Sequence, residues 1–144
     1  MNKRNAFTLL ELSIVLAIIG ILIVGVVGIS SGLRQTAFIT EAAQNINALH
    51  GSANQYLAIG NTNFTGISIT ALQTANLLPA GFSGTATNPW GGNYSVAANA
   101  SDSSKIDIQL TSVPTNAGNK LVTMFGNSAA ATPTFSSGTF TVTF

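Results

Sequence analysis

No cysteine occurs among the 144 residues, and there is only one histidine and one tryptophan. Without cysteine there can be no disulfide, no thiol nucleophile and no thiolate metal site. Charge is nearly as scarce, with five Lys and Arg against four Asp and Glu. Beyond residue 33 the charges are Arg34, Glu41, Asp102, Lys105, Asp107 and Lys120, set among Ala, Ser, Thr, Asn and Gly. Such a surface offers no basic patch for a phosphate backbone, so direct nucleic-acid binding is not expected. Low net charge also repels like copies weakly, which suits dense self-association. His50, on a helical segment with no thiol partner, reads as a surface or packing residue. The serines have no visible base. Asp102 and Asp107 beside Lys105 are a poor start for calcium, which takes about six to eight oxygens. No catalytic residue, metal site or cofactor is expected, and the chain does not read as an enzyme.

What the chain does have is a long apolar run behind a short basic head, MNKRNAFTLLELSIVLAIIGILIVGVVGISSGL. From Leu12 to Leu33 there is no charge, and a helix of about 22 residues would rise roughly 33 Å, enough for a bilayer. The run is too long for the apolar part of an ordinary secretory signal and has no small-residue cleavage site after it. Lys3 and Arg4 precede it, which places the head in the cytoplasm and the remainder outside. Glu11 is the exception within this segment. A carboxylate there costs roughly 2.5–3.5 kcal/mol on an insertion scale, so a partner or a function is expected for it.

The helical pattern continues past the run. Phe38, Ala42, Ile46, Leu49, Ala53 and Tyr56 recur at helical spacing, while Gln35, Glu41, Gln44, Asn47 and Asn54 fall largely elsewhere. One helix from about Phe7 to about Ala58 is predicted, ending near Gly60 and the Asn61–Thr62–Asn63 cluster. Its outer half would be an amphipathic spine for a sheet. The pattern of Thr70 to Leu78 predicts a short helix stopped by Pro79, with Leu72 and Ala75 turned inward. Strands are predicted at Tyr94–Ala98, over the alternating Ile106, Ile108 and Leu110, and over Phe140, Val142 and Phe144. Pro114 to Phe125 reads either as a short helix or as a loop with a strand. The fold class is α+β, a long N-terminal helix packed on a small antiparallel sheet. Asn63, Asn93 and Asn99 fit an N-x-Ser/Thr pattern that is frequent by chance in such a chain.

FTLLEL behind a basic head resembles the class III signal of type IV pilins and pseudopilins. NPWGGNY, Asn88 to Tyr94, is similar to the PWG segment that leads into the sheet in that family. The resemblance implies a leader at 1–6, cleavage by prepilin peptidase between Ala6 and Phe7, and N-methylation of Phe7. It implies a transmembrane and filament-core helix at 7–33, and a pilin globular domain at 34–144 that includes the outer helix, 34–58. Glu11 would become the fifth mature residue and pair with the freed amine of Phe7 on a neighbouring copy. Gly25, Gly28 and Gly32 lie where filaments of the family often have an extended stretch; close helix packing is the plainer reading of these glycines. Trp90 is expected to pack on the spine. The lack of cysteine departs from the disulfide near the C terminus of many pilins. The VP step at Val113 is similar to type IVb members, whereas the short leader and Phe7 look more like type IVa, and the subgroup stays open.

The function implied is that of a structural subunit, with a major pilin the simplest account, polymerising into a helical surface filament. Its partners would be copies of itself, the peptidase, the assembly machinery of the inner membrane, and that membrane itself, spanned once before export to the cell surface. A type II secretion pseudopilin is the nearer alternative, and a signal-anchored periplasmic binding domain the other.

Overall fold

Among the described residues, three helices and four strands follow in the order α1 (Leu9–Ala58), α2 (Ile69–Thr74), β1 (Tyr94–Ala98), β2 (Ile106–Leu110), α3 (Thr115–Phe125), β3 (Ala131–Ser136) and β4 (Thr139–Thr143). The computed structural model describes residues 9–79, 82 and 86–144, with the backbone alone over 25–31. The chain divides into two units, Met1–Thr36 and Ala37–Phe144.

In the second unit the outer part of α1 buries Ile39, Ala42, Ala43, Ile46, Leu49 and Ala53. Ala42, Ile46, Leu49 and Ala53 lie on the face that the periodicity predicts, whereas Phe38, expected on it, is exposed and Tyr56 is only partly buried, because the buried stripe is shifted toward Ile39 and Ala43. The small residues Ala42 and Ala53 let the backbone approach its neighbours, while Ile46 and Leu49 are fully buried between them. The sheet is antiparallel throughout, in the order β1-β2-β4-β3. In β2 and β4 the alternation of the sequence becomes an alternation of faces. Ile106, Ile108 and Leu110 point into the core with Phe140 and Val142, and Gln109 and Thr141 pair on the other face.

β3 is absent from the sequence reading. Its segment, ATPTFS, carries a proline and no clean alternation. A proline cannot donate to a ladder and is tolerated at an edge, which is where β3 lies, with a break in register between Ala131 and Thr134. Ser137 (φ 49°) and Gly138 (φ 77°) form the two-residue turn into β4, both left-handed as a type I′ hairpin requires.

The segment left open between two readings is a helix, α3, which buries Ala117, Gly118, Leu121 and Phe125. α2 is shorter than its sequence pattern predicts. Ser68 caps it by accepting from the Ala71 amide, and the stop comes before Pro79. Asn76 is left-handed at φ 59°, its N–H bonds to Gln73 O, and the Leu77 N–H bonds to Leu72 O. This pair of bonds is a Schellman motif, so an asparagine and not the proline ends the helix. α1 ends at Ala58, followed by Gly60 at φ 115°, and Asn61 Nδ2 donates to Tyr56 O.

Candidate assembly site

The described part of the first unit is helix alone. Leu9, Leu12, Leu16, Ile21 and Val24 are all exposed, from 54% to 87%. Glu11 lies near the start of the described part of α1. Ser13 Oγ donates to Leu10 O at 2.8 Å, which absorbs its polar group within the helix. Ala6 and Phe7, the expected cleavage and methylation residues, lie outside the described residues. Over Gly25, Gly28 and Gly32 the backbone is continuous α-helix in the single chain. Around Gly32 a Cβ would meet nothing within 4 Å, so its lack of a side chain relieves no crowding there. Among the described residues no helix is long and apolar enough to cross a membrane. The side chains of 25–31, which fall inside the uncharged run, are not among them.

In the second unit the NPWGG segment is organised by Asn88, which is 3% exposed. Its Nδ2 donates to Thr111 O at 2.7 Å, and its Oδ1 accepts from Trp90 N and Gly92 N at 3.0 and 3.1 Å. One side chain thus folds the turn on itself and fastens it to the end of β2. Trp90 is half-buried against the core and meets Phe38 of α1 edge-on, with centroids 6.4 Å apart. It packs on the spine, as expected. Asn45 Nδ2 donates to the Tyr94 hydroxyl at 3.2 Å, and burial pushes that phenol above its ordinary range.

The β1–β2 loop holds the remaining polar cluster. Asn99 Nδ2 donates to both oxygens of Asp107 at 3.0 and 3.1 Å, and Thr143 Oγ1 donates to Oδ1 of the same carboxylate. Asp107 therefore ties the loop to both β2 and β4. Asp102 accepts from the Oγ and N of Ser104 and pairs with Lys105 at 3.2 Å. Those hydrogen bonds, with the Lys105 ammonium, hold its carboxyl down at about 2. Among the described residues no group of three or more His, Cys, Asp or Glu could hold a metal ion. The sequence reading missed Asn88 as an organiser, although an Asn before Pro-Trp-Gly-Gly is a recognisable turn signal.

His50 stacks on Phe144 at 4.2 Å with an interplanar angle of 11°, and Phe125 meets Phe144 edge-on. Burial lowers the imidazole pKa below 6.5. The neutral ring is the folded form, so its contribution to stability is complete above pH 6.5. It declines as the pH falls from there through the lowered folded value, because the unfolded chain takes up the proton first. Thermal midpoints of the full chain in detergent are expected to fall as the pH drops below about 6.5, and His50→Phe should flatten that slope.

Residues 36–143 match the family model described as PilS N terminal, and residues 1–27 match the one described as the prokaryotic N-terminal methylation motif. No curated protein matches the chain.

Proposed function

Since this chain belongs to the PilS N terminal family and carries the N-terminal methylation motif of type IV pilin-like subunits, we propose that it is the major subunit of a type IV pilus. The families matched are structural, pilin-type proteins. The observation that carries the reading is the pairing of that motif with a helix whose large apolar side chains are exposed from Leu9 to Val24. A water-soluble subunit cannot leave such a surface uncovered. Lipid covers it first and other copies cover it later.

In this reading prepilin peptidase cuts between Ala6 and Phe7, and Phe7 is methylated. The stem, 7–33, spans the inner membrane once, and the assembly machinery then lifts the subunit into a surface filament. The globular part, 34–144, forms the outside. Glu11 meets the Phe7 amine of an adjacent copy as the stems bundle, which removes two charges from an apolar core. The glycines Gly25, Gly28 and Gly32 make local unwinding of the stem cheaper, each by roughly 0.8–1 kcal/mol relative to alanine. The interface is heterologous and does not close, so identical copies extend as an open polymer.

The test is intact mass and N-terminal sequencing of protein sheared from cells. Abundant material beginning at methylated Phe7 is expected. A chain that keeps Met1 and stays in membranes would leave an anchored domain as the better account, and loss of secretion without loss of fibres on deletion would favour a pseudopilin.

A further inference from the structure

Five charged side chains lie in the second unit, and three of them are engaged within the chain. Asp102 pairs with Lys105, and Asp107 accepts three hydrogen bonds from Asn99 and Thr143. Glu41 on α1 and Lys120 on α3 remain, both exposed, of opposite sign, and in no ion pair among the described residues. Large apolar side chains are almost as rare on the surface of this unit, where those exposed among the described residues are Phe38, Ile59 and Met124. Two of these three stand one helical turn from the two charges. Phe38 precedes Glu41 by three residues, and Met124 follows Lys120 by four, spacings that put each pair on one helix face.

We propose that these faces bind each other between copies, with Lys120 of one copy against Glu41 of the next and Met124 against the Phe38–Trp90 pair. This rests on the reading of the chain as a self-polymerising subunit. The chemistry is complementary at both points. An ammonium meets a carboxylate, and a thioether meets an aromatic edge, a contact that sulfur favours. The acidic face belongs to α1 and the basic face to α3, so one contact leaves a free acidic face at one end and a free basic face at the other. Such a contact propagates, as an open filament requires. On a surface with so little charge elsewhere, one ion pair per contact sets register and excludes like-charged alignments more than it adds affinity.

Charge reversal tests this on the full chain in cells, with sheared fibres as the readout and the processed subunit in membranes as the control for folding. Glu41→Lys and Lys120→Glu should each cut fibre yield roughly tenfold or more, since like charges then face each other. Combining them should restore fibres, which neither a solvated charge nor a folding defect would produce. The absence of native cysteine supplies an independent measurement. Fibres carrying Glu41→Cys together with Lys120→Cys should yield a ladder of covalent multimers on oxidation, while either single variant should not. Wild-type yields from the single reversals, no recovery in the double, rescue of Glu41→Lys by Arg34→Glu instead, or no ladder would each overturn the pairing. Fibres built normally around a different contact would leave the subunit reading standing, whereas a wild-type chain that forms no fibre removes both.

Discussion

Gly92→Ala is expected to lower the thermal midpoint of the full chain in detergent by about 15 °C, corresponding to about 3 kcal/mol for a domain of this size. Gly92 is buried where the NPWGG turn lies against the end of β2. A Cβ there would overlap the Thr111 carbonyl oxygen, and would sit 2.6 Å from the carbonyl carbon and 2.8 Å from Oγ1. The colliding atoms are backbone and a side chain already bonded to Asn93 N, so no flexible group can swing aside. Relief requires the turn to lift from the strand. That movement would stretch the bond from Asn88 Nδ2 to Thr111 O, the fastening that holds the segment down. Gly51→Ala is the control. It lies inside α1 with nothing within 4 Å of the added Cβ, and should stabilise the chain by up to about 1 kcal/mol through helix propensity. Midpoints that move equally for the two variants would contradict the account of Gly92.

Periodicity decides which elements the sequence reveals. The buried face of α1 was legible because burial on a helix leaves a period, and Ile46, Leu49 and Ala53 carry it. β2 and β4 were legible because one of their faces is dry and the other polar. β3 was not, since an edge strand with a proline and a register break has no period to leave. The sequence puts the stop of α2 at Pro79 because a left-handed asparagine is one of several residues that can end a helix, and only Asn76's backbone shows that it does. Long-range closures were the least legible. Gly118 is small because a Cβ would lie 2.5 Å from Cγ of Phe135, a residue of the unforeseen strand. Asn99 reads as an N-x-Ser acceptor in sequence, yet its amide nitrogen is committed to Asp107 and its oxygen to the Ser101 and Asp102 amides. For the assembly site the order is reversed. FTLLEL and the basic head were evident in sequence, whereas Ala6 and Phe7 lie outside the described residues.

Glu11→Ala is expected to leave the subunit inserted, cleaved and present at normal levels in the membrane, while sheared fibres fall by a hundredfold or more. Insertion should if anything improve, because an acidic group within a membrane segment costs roughly 2.5–3.5 kcal/mol that alanine does not. Assembly suffers for the opposite reason. In the filament core proposed above, the methylated amine of Phe7 would be left without its carboxylate, and breaking one side of a buried pair costs about 3–5 kcal/mol. At about 1.4 kcal/mol per tenfold change, that penalty weakens each subunit addition by more than two orders of magnitude, and every addition to the polymer incurs it. Glu11→Gln separates charge from shape. It keeps the length and hydrogen-bonding capacity of the side chain and removes only the negative charge, so it should assemble nearly as poorly as alanine if the carboxylate neutralises an amine. Fibre yields from the glutamine variant close to wild type would mean that position 11 acts through packing or a neutral hydrogen bond, and the proposed pairing with Phe7 would have to be abandoned.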